Sequence, residues 1–224
     1  MRFMEDLLTI AAEAEHLIGA KDGSAQQALT KELSKIMEEV EHLYGPRDRS
    51  YKLLEPLITE CSYPNTRIYR PLGMIRIYLT MECKRARYIA SYQLAHEAVH
   101  TLSPVPMGFA STILEEGVAE FFAYRYVNRV HGLTLEVGDS RYDSALRASA
   151  RLLAENEFVI KELRLREPII AKMDPKLLVE VAGVDSYLAE FLCRKFDDYQ
   201  PTPWRESLAE DAQRFIRGFR SIWE

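Results

Sequence analysis

Only three cysteines occur in the 224 residues, Cys61, Cys83 and Cys193, an odd number set far apart. They rule out a closed disulfide framework, and with no Cys-x-x-Cys pair nothing points to a thiolate metal site. Reduced thiols in a cytoplasmic protein are the reading that follows. Long apolar runs are also missing, since none approaches the ~18 residues of a membrane span. The opening Met1-Arg2-Phe3-Met4-Glu5-Asp6 turns acidic and amphipathic where a secretory leader would stay apolar. No block of Lys or Arg stands out. The net charge is -5 with both signs interspersed, which argues against nucleic acid or an anionic membrane as partner. What remains, 47% apolar and 28% charged residues, is the composition of a globular chain long enough to bury a core.

Helical periodicity fills the first and last thirds. Residues 4–20 and 24–43 read as amphipathic helices; in the second, Leu29, Leu33, Ile36 and Val40 recur at helical spacing behind a possible Ser24 cap. Gly45-Pro46 breaks the pattern, and a short helix is expected around 51–60. The middle changes period. Residues 66–70 and 74–81 read as two strands, and in the second Ile75, Ile77, Leu79 and Met81 alternate with Arg76, Tyr78 and Thr80, as in a half-buried strand. A long helix is expected over about 85–102, stopped by Ser103-Pro104-Val105-Pro106. Another runs from Ser111 or Thr112 to Val130, closed by His131-Gly132.

Further helices are expected from Asp139 or Ser140 to about 156, after Asp174-Pro175, over 184–196 and over 204–223, while the period of 158–165 fits strand or helix. This order describes one α+β domain that is predominantly helical. Residues 1–62 form an N-terminal helical lobe, 63–132 a small sheet with two central helices, and 133–224 a C-terminal helical lobe.

The residues that carry chemistry lie on the two central helices. His96-Glu97-Ala98-Val99-His100 places two histidines four residues apart, on one face of one helix, so both imidazoles can converge on a single ion. Glu97 is offset by about 100° around the axis. It stands beside the metal without ligating it, where a carboxylate can take a proton from an attacking water. Two histidines leave zinc short of the three protein ligands usual in catalytic sites. Fourteen residues on, Leu114-Glu115-Glu116-Gly117-Val118-Ala119-Glu120 offers a carboxylate from the returning helix. Glu116 is the candidate third ligand because Glu120, one turn behind it, can then accept a hydrogen bond from the far nitrogen of a ligand histidine. Gly117 in mid-helix costs about 1 kcal/mol against Ala, which is rational where the two helix backbones must approach closely to share an ion. The competing reading is a pair of core-capping histidines beside a solvated acidic helix face.

The segments HEAVH and LEEGVAE resemble those of the gluzincins, zinc metallopeptidases of the thermolysin-like and aminopeptidase-like families, over about residues 74–130. The resemblance implies a zincin-like core and a peptide or protein substrate. It also implies zinc ligands His96, His100 and Glu116, a general base Glu97 and a supporting carboxylate Glu120. The strand at 75–81 is similar in placement to the sheet edge that pairs with extended substrate in that group. Gluzincins add a Tyr or His that donates to the oxyanion, and here Tyr142, at the start of a downstream helix, is the first candidate and His131 the second. Two other functions stay open on the residues alone: a zinc-binding module without turnover, and a helical interaction protein. His16 and His42 are expected at the surface.

Overall fold

The computed structural model describes residues 23–105, 109–135 and 138–200. The helices expected over 4–20 and 204–223, with His16, lie outside the described residues. The first helix, α1 (Gly23–Tyr44), buries the expected stripe of Leu29, Leu33, Ile36 and Val40. After it comes the largest departure from expectation. Residues 51–60 are not a helix but two short strands, β1 (Lys52–Leu53) and β2 (Leu57–Thr59), separated by Pro56. Pro56 bars a continuous helix through the segment, and the strands' backbone groups find partners on a neighbouring strand instead. Lys52 N–H donates to Gly73 O at 2.7 Å and Leu54 N–H to Ile75 O at 2.8 Å.

That neighbour is β4 (Met74–Thr80), joined to β3 (Asn65–Tyr69) by a tight turn through Gly73. β3 pairs antiparallel with β4, while β1 and β2 pair with it in parallel, at Met74–Ile75 and at Tyr78–Thr80. The registers place β1 and β2 end to end along one side of β4 and β3 along the other. β4 is therefore an interior strand, with β3 at one edge of the sheet and β1 and β2 at the other, which corrects the expected sheet edge. Nor is β4 half-buried. Ile75, Ile77 and Leu79 are sealed, and Arg76, Tyr78 and Thr80 on the opposite face are buried as well, while Met81 is exposed at the start of a 3-10 turn.

Two long helices form the centre. α2 (Arg87–His100) is buried continuously from Gln93 to Val99, and α3 (Ile113–His131) from Ile113 to Tyr124. Their residues meet in antiparallel order. Glu116 lies by His100 and His96, Glu120 by His96 and Tyr92, and His131 by Ser91. Around them pack α4 (Ser140–Leu153), α5 (Val159–Arg164), α6 (Pro175–Ala182) and α7 (Ser186–Leu192). Residues 158–165 thus resolve as helix. Thr112, Asp139, Asp174 and Asp185 cap α3, α4, α6 and α7 with side-chain oxygens that accept first-turn N–H groups. The result is a predominantly helical α+β fold with one small mixed sheet. Among the described residues no helix is long and apolar enough to cross a membrane.

Two devices hold the central pair. The buried guanidinium of Arg164 donates to the carbonyls of Tyr44, Gly45, Pro46, Leu102 and Pro168 and to Ser103 Oγ, tying the end of α1 to the exit of α2. Burial lowers its pKa to about 10. The second device is Gly117, and it works differently from expectation: the close approach is to α4, not to the histidine helix. A Cβ at Gly117 would lie 2.2 Å from Ser149 Oγ and 2.3 Å from the carbonyl oxygen of Ala145. Backbone must move to admit it. In a free helix Gly→Ala stabilises by about 1 kcal/mol; here Gly117→Ala is expected to destabilise by roughly 1–3 kcal/mol through overpacking. Chemical denaturation checks the sign, and a stabilised variant would show that α4 does not press on Gly117.

Candidate metal centre

The site forms where the end of α2 meets the first turn of α3. His96 and His100 are one turn apart and point the same way, with ring centroids 5.2 Å apart. Glu116 enters from the first turn of α3, which begins at the Thr112 cap. That placement puts its carboxylate at the positive end of the helix dipole. The entry to α3 is itself clamped by a strap that sequence periodicity misses. The helix expected over 184–196 ends at Leu192, and the chain then turns and makes a single antiparallel bridge from Lys195 to Thr112. Ile113 N–H donates to Arg194 O at 2.9 Å, and Phe196 N–H to Ser111 O at 2.9 Å. Phe196 is buried and its ring lies 4.7 Å from that of Tyr142; anchoring it there takes the backbone out of helix.

Three ligand-type atoms converge. His96 Nε2 is 3.3 Å from His100 Nε2 and 3.3 Å from Glu116 Oε2, and His100 Nε2 is 3.7 Å from the same oxygen. Tetrahedral zinc bonds of about 2.0–2.1 Å place ligand atoms about 3.3–3.4 Å apart, so the spacing fits that ion. His96, His100 and Glu116 form the one such group of three among the described residues.

The opposite ring nitrogens decide what the facing atoms are. His96 Nδ1 is 3.0 Å from Glu120 Oε2, and His100 Nδ1 is 3.3 Å from Glu115 Oε1. A carboxylate can only accept, so each Nδ1 carries its proton and each Nε2 presents a lone pair to the centre. Glu120 is further fixed by Tyr92, whose hydroxyl donates to it at 2.7 Å, and Glu115 by Ser111, at 3.2 Å. Glu120 stands where the sequence placed it. Glu115, Tyr92 and Ser111 were not foreseen. The signal for Glu115 was only that it adjoins Glu116, and a neighbour offset by about 100° reaches the second histidine only through the way α2 and α3 pack.

Glu97 is outside the converging group but buried, and Thr66 Oγ of β3 donates to its Oε2 at 2.8 Å. Tyr142, in the first turn of α4, lays its ring edge-on to His96 at 5.9 Å between centroids. Burial and the carboxylates of Glu116, Glu120 and Glu97 hold its phenol well above the ordinary value, so it is a donor at neutral pH. His131 does not reach the site. It lies fifteen residues beyond Glu116, about 22 Å along the helix, and its Nε2 bonds Ser91 Oγ at 2.8 Å. That removes it as the alternative donor. His42 is exposed, as expected. Cys61, Cys83 and Cys193 are all free thiols and take no part.

Electrostatics favour a cation at the centre. Burial works against a charged imidazole, yet Glu116 and Glu120 outweigh it and raise His96 to about 10. His100 is raised likewise by Glu116 and Glu115. Burial would raise Glu116, but His100 and His96 hold it well below the ordinary carboxylate range. Without metal the cluster thus draws protons into the place that the lone pairs would give to an ion. The chain matches no family model, no curated protein and no solved structure, so the site is read on its own geometry.

Two outcomes follow from that geometry. Glu120→Ala and Glu115→Ala should each weaken zinc binding by roughly 10- to 100-fold, and the Gln variants, which still accept a hydrogen bond, by less. Competitive zinc titration reads both, and four silent variants would mean that the carboxylates do not orient the rings. The second outcome concerns pH. Protonation of His96 stabilises the metal-free fold fully below the ordinary 6.5, and this is lost as pH rises through about 10. Zinc would take the neutral rings, and its binding is expected to tighten as pH rises. Thermal melts of chelated protein should therefore fall between pH 6.5 and 10 while zinc-loaded protein holds. Parallel profiles would show that the imidazoles do not carry those protons.

Proposed function

We propose that this chain is a zinc-dependent hydrolase that cleaves amide bonds in peptide or protein substrates. The observation that carries the reading is the convergence of His96 Nε2, His100 Nε2 and Glu116 Oε2 at tetrahedral spacing, with both Nδ1 atoms tied to carboxylates. Two N and one O donors are the set that catalytic zinc takes, leaving a coordination position open. The likeness of HEAVH and LEEGVAE to the gluzincin motifs supports the same reading, and with it a zincin-like core.

Bound there, zinc supplies Lewis acidity that polarises a carbonyl and lowers the pKa of a coordinated water toward neutrality. The other parts belong to the chain. Glu97, oriented by Thr66, takes the proton of the attacking water and delivers it to the leaving nitrogen. Tyr142 donates to the oxyanion from its place beside His96. The edge strand β3 carries Thr66 next to Glu97, so an extended peptide laid along β3 brings its backbone to the carboxylate. Three free thiols fit a reducing compartment such as the cytoplasm.

Glu97→Gln is expected to keep zinc and lose peptide turnover by ~10²- to 10⁴-fold, because the amide keeps the shape but cannot accept the proton. Tyr142→Phe should lower turnover by ~10²- to 10³-fold at unchanged zinc affinity. Both are read by fragment release from a peptide library together with metal analysis. A Gln variant at wild-type rate removes Glu97 from the mechanism. Wild-type protein that holds zinc and cleaves no member of the library is a zinc-binding module, not a peptidase.

A further inference from the structure

We propose that a cavity remote from the metal cluster, between α1, β2 and the start of α2, binds a small amphiphilic anion: a carboxylate on an apolar chain. The cavity has a volume of about 720 Å³, within the range of small-molecule sites. None of its lining residues belongs to the His96–His100–Glu116 cluster, so it is independent of the hydrolase reading. Its wall is apolar, formed by Leu29, Leu57, Ile58, Cys83 and Ala90. Among the described residues no aromatic side chain lines it, which leaves a nucleobase without a stacking surface there.

The charge is gathered at one end. Lys84, Arg85 and Arg87 line the cavity where α2 begins, and none of them makes an ion pair among the described residues. One carboxylate, Glu32, lines it against these three cations, and it is already engaged by the hydroxyl of Ser91. The same end receives the start of α2 at Ala86, which has no side chain to cap the helix, and no acidic residue occupies the first turn. The positive end of the helix dipole therefore adds to the three side chains. An apolar wall running from a cationic rim matches an anionic head with an apolar tail. The cations supply attraction for the head, and burial of the tail supplies the larger part of the affinity.

The test is titration of decanoate, kept below its micelle concentration, into the full chain, zinc-loaded and chelated, followed by calorimetry. Saturable binding at one site per chain is expected in both forms. The triple variant Lys84→Ala, Arg85→Ala, Arg87→Ala should weaken it at least 10-fold; these side chains are exposed, so the fold survives their loss. Ala28→Trp, which fills the cavity from the exposed side of α1, should abolish it. Decanol should bind at least 10-fold more weakly than decanoate. The proposal is overturned by the absence of saturable binding, by decanol binding as well as decanoate, or by a triple variant that binds like wild type. Inorganic phosphate that competes at equal affinity would overturn the amphiphile and leave a simple anion site.

Discussion

Two imidazole lone pairs and a carboxylate oxygen are held within 3.7 Å of one another in a largely buried place. Such a group is stable only if something positive sits among it, a proton or a metal ion. The rest of the structure can be read as the means of keeping it together. α2 and α3 run antiparallel so that the end of one meets the first turn of the other. Arg164 fixes the exit of α2, and the 194–196 strap fixes the entry of α3. Gly117, the residue after Glu116, lets α4 press in, and with α4 comes Tyr142.

The charges follow the same logic. Glu97, Glu115, Glu116 and Glu120 are four carboxylates, each less than a tenth exposed, around two histidines. Three of them have hydrogen-bond donors: Thr66 for Glu97, His100 and Ser111 for Glu115, His96 and Tyr92 for Glu120. Glu116 alone faces the two Nε2 atoms. A solvated acidic helix face would not bury its carboxylates or pair them in this order. The division of labour between Glu116, aimed at the centre, and Glu115 and Glu120, aimed at the rings, is the ground for proposing a metal centre here.

Much of this was legible in the sequence because it is local. The four-residue interval of His96 and His100 and that of Glu116 and Glu120 fix their faces as soon as the helices are recognised, and the start at Ser111 or Thr112 with the stop at His131-Gly132 marks the second helix. What escaped depends on partners distant in sequence. β1 and β2 are two and three residues long, too short for a period, and exist because β4 offers backbone groups to pair with. The last turn of the expected 184–196 helix gives way to the strap because Phe196 and Ser111 bind there. Gly117 was read as a point of close approach, but its neighbour, α4, could not be known. The sequence ranks Tyr142 ahead of His131 as the donor, but only the direction of α3, which carries His131 away, and the packing of α4, which brings Tyr142 beside His96, separate the two in space.

The most direct test is zinc-edge X-ray absorption on protein purified without added metal, with elemental analysis on the same sample. The account predicts one zinc per chain in a four-coordinate shell of N and O atoms at about 2.0–2.1 Å, including the multiple-scattering signature of two imidazoles. That signature should fall to one in His96→Ala. Sulfur in the shell, a six-oxygen shell, or a chain that purifies without zinc and takes up none would contradict it.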